Sequence, residues 1–294
     1  MILATIYWGD SSSAAVVFGN RLAPVRQLRG RNDAYDVLAL IEQPLSAEEI
    51  HYLQHLPSLA ITSQTQWLPP VLHPPKNILC IGRNYVEHLK DAAKAEGHKV
   101  DPPKFPIWFT KAQSSLIGGG AAIQHDSRFT QKLDYEGELA VVIGRTCRGV
   151  AAERAIDECV FGYTILNDVS ARDVQMRHHQ WFKGKSADTY APCGPWIVTR
   201  DEIADPQQLR IRTLVNGEVR QDDCTQSMIF DVKAQIADIS AGMTLLPGDI
   251  IATGTPVGVA EGMNPPRYLG DGDEVVVEIE KIGRLANRVV AYNG

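Results

Sequence analysis

The sequence predicts an α+β fold that is mostly β and is built in two parts. Short runs of β-branched and aromatic residues recur along most of the chain, separated by Gly-Asp, Asn-Gly or Pro-Gly turns. Two helix-like segments interrupt these runs. The segment WLPPVLHPPKNI, at positions 67–78, contains four prolines and predicts a stiff connector. We therefore predict a small N-terminal domain over residues 1–72 and a larger domain over residues 73–294.

The N-terminal part is predicted to be a small α/β domain. The segments ILATIYW and AAVVFGNRLAPV are typical of short strands, and the turn residues GDSSS and GN join them. A helix is predicted in LSAEEIHYLQHL, because Ser46 can cap its first turn and Glu48 and Glu49 follow within that turn.

The larger part is predicted to form a mixed or mostly antiparallel β core, because short strand-like runs joined by tight turns favour that arrangement. These runs are ILCIG, IWFTK, GELAVVIG, VFGYTILND, GPWIVTR, LRIRTLVNGEV, DIIATGTP and DEVVVEIE. Helices are predicted at residues 151–160 and 227–240. In the second helix, apolar residues recur at helical spacing on one face and are expected to pack in the core. These residues are Ile229, Val232, Ile236 and Ile239.

Composition and charge limit the class of protein. The formal net charge of the chain is -6 and no run of Lys and Arg occurs, so a nucleic-acid partner is not expected. No apolar stretch is long enough for a membrane-spanning helix, and the N-terminus lacks the pattern of a signal peptide. The five cysteines are widely spaced without a C-x-x-C pair, which predicts reduced, mostly buried thiols. A cytoplasmic protein without membrane association is therefore expected.

Two glutamates stand one residue apart at the start of a predicted strand, in LDYEGELAVVIG. Side chains two apart on a strand point to the same face, so the charges of Glu136 and Glu138 repel each other. A solvated strand end, a proton-sharing acid/base pair or a cation site would explain such a pair. Asp168, at the junction of a predicted strand and helix in GYTILNDVSARD, adds a third carboxylate and favours the cation site.

These three carboxylates offer only oxygen ligands, since no His or Cys follows at matching spacing. Such a set suits Mg²⁺, with Mn²⁺ or Ca²⁺ close behind, whereas Zn²⁺ usually recruits nitrogen or sulfur. Arg172 lies one helical turn after Asp168, Gln175 follows on the same face, and Lys185 lies in a glycine-flanked loop. Arg suits a planar carboxylate and Lys a compact negative charge, so an anionic substrate is expected beside the metal.

Four segments together resemble the fumarylacetoacetate hydrolase family. They are DYEGELAVVIG, GYTILNDVSARD, KGKSAD and LLPGDIIATGTPVGV, in this order, and the resemblance extends over residues 73–294. It implies a twisted, rolled, mixed β core, assembled as a homodimer. It also implies that Mg²⁺ or Mn²⁺ binds at the positions of Glu136, Glu138 and Asp168, and that the substrates are 2-oxo acids or 1,3-diketo acids.

The resemblance also implies roles for further residues. Lys185 matches the family's active-site lysine, and several other residues are expected on the substrate side. These are Arg172, Gln175, Gly254, Thr255 and Tyr85. The segment IGRNYVEHLKDAAKAEGHKVDPPKFP resembles the family's mobile lid, which carries a histidine and, three residues later, an acid. Here that pair is His88 and Asp91, with aspartate in place of the usual glutamate.

The expected function follows from the chemistry of such acids. Cleavage of a C–C bond beside a ketone leaves a carbanion, which a chelated metal and Lys185 can hold as an enolate. His88, oriented by Asp91, can take a proton from water. We therefore expect a metal-dependent hydrolase of acylpyruvate or diketo-acid substrates. An oxaloacetate decarboxylase or a 2-oxo acid isomerase of the hydroxyheptadienedioate type would use the same enolate. A non-catalytic metal–carboxylate binder is an alternative from another class.

Overall fold

The computed structural model describes residues 1–89 and 101–292. Strands dominate and the helices are short, so the predicted α+β, mostly β class is confirmed. The strands are β1 Ile2–Trp8, β2 Ser11–Phe18, β3 Arg21–Pro24, β4 Leu59–Ala60, β5 Trp67–Leu68, β6 Ile78–Gly82, β7 Ile107–Lys111, β8 Leu116–Ile117, β9 Ile123–His125, β10 Leu133–Asp134, β11 Gly137–Ile143, β12 Val160–Asn167, β13 Ser170–Ala171, β14 Ala191–Thr199, β15 Arg210–Val215, β16 Glu218–Cys224, β17 Ile250–Ala252, β18 Glu274–Ile279 and β19 Gly283–Ala291. Helices with both ends in the described residues are α1 Val37–Glu42, α2 Ala47–Leu53, α3 Ala152–Cys159, α4 Arg172–Arg177, α5 Phe182–Lys185 and α6 Val232–Ser240.

Two sheets organise these strands. The larger follows the order β4-β3-β2-β1-β14-β12-β11-β17-β6-β7, with β5 paired to β1 and β8 paired to β14. The smaller follows the order β16-β15-β18-β19-β9, and β10 pairs separately with β13. Among the described strands, the parallel pairs are β17 with β6, β14 with β8 and β19 with β9. The core is therefore mixed and mostly antiparallel, as predicted.

The N-terminal strands extend the larger sheet, because β1 pairs with β14 and β2 and β3 continue outward from β1. β2 begins at Ser11, inside the predicted GDSSS turn. Gly9 and Asp10 alone close this hairpin, and Gly9 has the positive φ, 62°, that such a tight turn requires. The boundary proposed near residue 72 stays a prediction.

Two helix starts test the capping argument. Ser46 caps α2 as predicted. Its side chain accepts a hydrogen bond from the N–H of Glu49, and the Glu49 side chain accepts one from the N–H of Ser46. α6 begins at Val232 rather than at residue 227, because the Asp231 side chain caps it and Ile229 precedes it. None of the helices in the described part of the chain is long and apolar enough to cross a membrane.

β11 runs through the core, and all seven of its residues are buried. On one face, Leu139, Val141 and Ile143 belong to an apolar cluster that includes residues of α6 and of the smaller sheet. On the other face, Ala140 and Val142 belong to a second cluster with the N-terminal strands. β11, which contains Glu138 and directly follows Glu136, is therefore held from both sides.

The prediction of reduced thiols is wrong for one pair of cysteines. Cys147 and Cys159 form a disulfide, with their Cα atoms 6.1 Å apart. The N–H of Gly144 donates to the C=O of Cys159 at 2.6 Å, which brings the end of α3 to the loop after β11. A separation of 12 residues without a recognisable motif carries no signal for this pairing. The free thiols among the described residues are Cys80, Cys193 and Cys224.

Candidate active site

The three predicted metal-ligating carboxylates meet at one end of β11 and β12. These strands are antiparallel with Gly137 opposite Asn167. Glu136, just before β11, and Glu138, within it, therefore lie beside Asp168, which follows β12. One ligand oxygen from each carboxylate lies within 4.8 Å of the others. All three residues are buried, Asp168 completely. The structure therefore brings together residues that lie in two separate sequence segments.

Gly137, between the two glutamates, is required for steric reasons. A Cβ at this position would lie 2.2 Å from Oγ1 of Thr213 and 3.0 Å from Cγ1 of Val277, both in the smaller sheet. A residue without a side chain lets β11 approach that sheet closely. Because side chains alternate along a strand, Glu138 points to the opposite face and into the site.

Gly137→Ala is expected to destabilise the protein by about 1–3 kcal/mol, since a methyl group forced into packed surroundings shifts the neighbouring strands. The same shift displaces the carboxylates, so metal affinity should fall together with Tm. Thermal unfolding and calorimetric metal titration measure both effects. Gly242→Ala is the matched control, because a Cβ there meets nothing within 4 Å. Equal Tm values for the two variants would show that contact with Thr213 does not constrain β11.

Three buried cations surround the carboxylates. Nζ of Lys185 lies 2.8 Å from Oε2 of Glu136 and 2.8 Å from Oδ2 of Asp168. Nζ of Lys111 lies 2.6 Å from Oδ1 of Asp168 and also donates to the backbone C=O of Lys185. Nη1 of Arg172 lies 2.6 Å from Oε1 of Glu136. Sequence reasoning missed Lys111, since a lysine at the end of a strand is ordinarily a surface residue.

Arg172 is also close to two acids that sequence reasoning missed. Its Nε lies 2.9 Å from Oδ2 of Asp134 and 3.6 Å from Oε2 of Glu261. Asp134 is completely buried, and it accepts from the N–H groups of Ala260 and Glu261 at 2.8 and 3.1 Å. Asp134 stands two residues before Glu136, so the alternation that pairs the glutamates could have included it. Glu261 carries no comparable signal.

This mostly buried cluster has more acidic than basic side chains. Its ionisable side chains are five carboxylates, Asp134, Glu136, Glu138, Asp168 and Glu261, and three cations, Lys111, Arg172 and Lys185. Burial and the nearby charges of Asp168 and Glu136 raise the pKa of Glu138 well above its usual value. Burial opposes ionisation of Glu136 too, but Lys185 and Arg172 outweigh it and lower the pKa of Glu136. A divalent cation bound among these oxygens would offset the surplus, so the residues present fit Mg²⁺, Mn²⁺ or Ca²⁺.

His88 lies in the wall of a pocket that also contains Glu136, Glu138 and Lys185. Its Nδ1 is buried and has no hydrogen-bond partner within residues 1–89 and 101–292. Burial lowers the pKa of His88 to about 4, so its imidazole is neutral at pH 7. A neutral imidazole can accept a proton, as a general base must. Asp91, its predicted partner, lies outside the described residues.

Of the other residues predicted on the substrate side, some line the pocket and others do not. Gln175 and Thr255 line the pocket, as Arg172 does. Gly254 supports the site through its backbone: its N–H donates to Oε2 of Glu138 at 2.8 Å, at a φ of +96°. Tyr85 is completely buried and is not among the lining residues of this pocket. Its role in substrate binding stays a prediction.

Aromatic side chains form another part of the pocket wall. Phe109 and Trp181 meet edge to face with their ring centroids 5.3 Å apart, and Nζ of Lys185 lies 5.3 Å from the Phe109 ring. Gly82 leaves room for this wall, because a Cβ there would lie 2.2 Å from Cζ3 of Trp181. Arg83 also lines the pocket, with its guanidinium carbon 5.9 Å from the Trp181 ring. The pocket therefore combines a charged floor with an apolar wall.

A mixed β core that carries an acidic centre, a lysine and a neutral histidine at one pocket has the features of an enzyme active site. The family model of the fumarylacetoacetate (FAA) hydrolase C-terminal domain matches residues 77–290. The chain belongs to the fumarylacetoacetate hydrolase family, and the resemblance of its motifs is confirmed. Its α+β fold matches that of a solved member of the family.

Several named proteins are similar to this chain. The oxaloacetate tautomerase YisK of Bacillus subtilis (strain 168) is 46% identical over 227 residues, 77% of this chain and 74% of that protein. A fumarylacetoacetate hydrolase (EaFAH) from psychrophilic Exiguobacterium antarcticum is 41% identical, with 99% of this chain and 100% of that chain covered and a TM-score of 0.86. Maleylpyruvate hydrolase from Sphingobium sp. SYK-6, solved with manganese(II) and pyruvate, is 31% identical, with 99% of each chain covered and a TM-score of 0.78. Members of the family thus act on oxaloacetate-type and acylpyruvate-type substrates, and this membership supports enzymatic activity.

Proposed function

We propose that this protein is a metal-dependent hydrolase that cleaves a C–C bond in acylpyruvate-type substrates, giving pyruvate and a carboxylic acid. The observation that carries the proposal is the neutral, half-buried imidazole of His88 in one pocket with Lys185 and two of the three clustered carboxylates, Glu136 and Glu138. The substrate is a small 2-oxo or diketo acid. The relative solved with manganese(II) and pyruvate supports this ligand chemistry.

The three carboxylates, Glu136, Glu138 and Asp168, are the residues that would hold Mg²⁺, or Mn²⁺ or Ca²⁺ in its place. When bound, the ion would supply a Lewis acid for the oxygens of the 2-oxo acid. The ammonium group of Lys185 is positioned beside these carboxylates by its hydrogen bonds to Glu136 and Asp168. Burial disfavours its ammonium form, but these two carboxylates outweigh burial and raise the pKa of Lys185, so the group is cationic at pH 7. An ammonium donor can stabilise negative charge that develops on a substrate oxygen.

His88 is the proposed general base. Its neutral imidazole accepts a proton from water, and the resulting hydroxide adds to the distal carbonyl carbon of the substrate. The C–C bond then breaks, its electron pair passes to the pyruvate fragment as an enolate, and a proton returned to that carbon gives pyruvate. The acyl fragment leaves as a carboxylic acid. Asp91 is the proposed orienting residue for His88.

Keto–enol tautomerisation of oxaloacetate is a second candidate, because YisK, an oxaloacetate tautomerase, is 46% identical to this chain. The same residues would serve. His88 would take a proton from the carbon next to the ketone instead of from water, and Lys185 would stabilise the same type of enolate oxygen. The two candidates therefore differ in which proton His88 accepts.

Product analysis separates these functions. Metal-stripped protein is given Mg²⁺ or Mn²⁺ and incubated with acetylpyruvate or oxaloacetate. Acetate and pyruvate in equal amounts from acetylpyruvate support the hydrolase. Enol-to-keto conversion of oxaloacetate without CO₂ supports the tautomerase, CO₂ release indicates a decarboxylase, and binding without turnover indicates a metal–carboxylate binder. Unchanged hydrolysis after removal of the metal would contradict the proposal.

We also propose that the protein is a homodimer. This is tested on the same sample by light scattering coupled to size exclusion.

A further inference from the structure

Glu261 is an acid in the pocket wall that the proposed reaction does not use. Its side chain is 29% exposed and lines the pocket together with His88 and Lys185. Its Oε2 lies 3.6 Å from Nε of Arg172, within ion-pair distance. A carboxylate at this position places negative charge beside the guanidinium on which an anionic substrate would be expected to dock.

The backbone of Glu261 is held by a completely buried side chain. Asp134 accepts from the N–H groups of Ala260 and Glu261, at the start of the 3-10 helix Ala260–Gly262. Asp134 also accepts from Nε of Arg172 at 2.9 Å. One carboxylate thus fixes both the arginine and the segment that carries Glu261, so the two side chains are positioned as a unit.

The positive charge of Arg172 is already shared among three acids. Nε faces Asp134 and Glu261, and Nη1 lies 2.6 Å from Oε1 of Glu136. Nη2 is buried, and it is the one nitrogen of this guanidinium with no hydrogen-bond partner among the described residues. Arg172 can therefore donate a further hydrogen bond, but it carries no surplus charge to offset a second substrate carboxylate. A neutral acceptor, such as a carbonyl oxygen, suits this position.

We propose that Glu261 is a specificity-determining residue: it favours substrates whose acyl end is uncharged and disfavours dicarboxylates through repulsion beside Arg172. This inference rests on the proposed function for the identity of the reacting end of the substrate. The apolar wall formed by Phe109 and Trp181 also favours an uncharged acyl end, because aromatic side chains can pack against an acyl group that carries no charge.

The test compares two ligands of equal carbon number that lack the cleavable 1,3-diketone. 2-Oxopentanoate is a monoanion and 2-oxoglutarate is a dianion. Calorimetry on the metal-loaded protein measures the Kd of each ligand. Burial and the nearby Asp134 and Glu136 raise the pKa of Glu261, so the measurement is made at pH 8 to favour its charged form. We expect wild type to bind 2-oxopentanoate about tenfold more tightly, since like charges placed together weaken binding. In Glu261→Gln the ratio should approach one, chiefly through tighter binding of 2-oxoglutarate.

Glu158→Gln is the matched control, because Glu158 is an acid of α3 outside the pocket with a 41% exposed side chain. It should leave the ratio of the two Kd values at the wild-type level. Glu261→Ala is a second variant, with Tm measured for both, so that a loss of folding is not mistaken for a loss of selectivity. An equal Kd for the two ligands in wild type, or an unchanged ratio in both Glu261 variants, would overturn the proposal.

The outcome is separable from that of the proposed function. If the Kd ratio shifts as expected but acetylpyruvate is not hydrolysed, the specificity assignment stands and the hydrolase assignment fails. If acetylpyruvate is hydrolysed and the ratio does not shift, the reverse holds. As a kinetic confirmation, Glu261→Gln should raise kcat/KM for maleylpyruvate relative to acetylpyruvate by about the same tenfold factor.

Discussion

Glu138→Gln is expected to lower kcat at saturating substrate by about a thousandfold or more and to reduce Mg²⁺ affinity by at least about a hundredfold. Glu138 is buried and supplies one of the three clustered carboxylate oxygens. Glutamine keeps the shape and can still accept the hydrogen bond from the N–H of Gly254, so the local fold is preserved. The variant loses the negative charge that a divalent ion requires from this position.

A stability measurement distinguishes loss of the metal site from damage to the fold. In metal-free wild type the charged form of Glu138 is disfavoured by burial and by Asp168 and Glu136. Removing that charge should leave the Tm of the metal-free variant equal to or above that of wild type. Addition of Mg²⁺ or Mn²⁺ should raise Tm in wild type and in the control Glu158→Gln, but not in Glu138→Gln. A variant that retains both the metal-dependent rise in Tm and full turnover would remove Glu138 from the site.

His88→Ala is expected to slow acetylpyruvate hydrolysis by about 100- to 10,000-fold, the usual contribution of a general base. Binding of 2-oxopentanoate should change little, because His88 is assigned to the attacking water and not to the 2-oxo end of the ligand. Steady-state kinetics and calorimetry give the two quantities. His73→Ala is the matched control, since His73 is exposed and is not among the residues of the pocket wall.

The same variant discriminates between the two candidate reactions. If His88 acts on water, His88→Ala loses hydrolysis but retains metal-dependent enolisation of oxaloacetate. If it acts on the carbon next to the ketone, His88→Ala loses the enolisation of oxaloacetate. Wild-type kinetics for both substrates in His88→Ala would exclude this residue from the mechanism.

The strands were predictable because their sequences carry local information. IWFTK coincides with β7, ILCIG with β6, and GELAVVIG contains β11. Strand propensity and turn residues act within a few positions, so they can be read from neighbouring residues. The start of α6 was misplaced because Ile229 continues the apolar spacing, whereas the side chain of Asp231 caps the helix and sets where it begins.

The metal-ligand candidates were predictable for a different reason. Glu136 and Glu138 create a local charge conflict that a buried strand does not tolerate without a compensating cation. Lys111 and Glu261 create no such conflict in the sequence, where each is an ordinary charged residue, and Asp134 shows only the same two-residue spacing as the glutamates. Their importance depends on contacts with Asp168 and Arg172, which come from other elements.

The sequence by itself determined the family and most of the strands, and it predicted the three carboxylates and the histidine of the candidate site. Only the tertiary structure decided the strand order, the Cys147–Cys159 disulfide, and the pairing of each cation with its acids. Asp134, for example, accepts a hydrogen bond from the N–H of Ala260, which is 126 residues away in the sequence. Local propensity sets the direction of a side chain along its own element. Ion pairs and pKa values instead depend on distances between elements, and those distances exist only after the chain has folded.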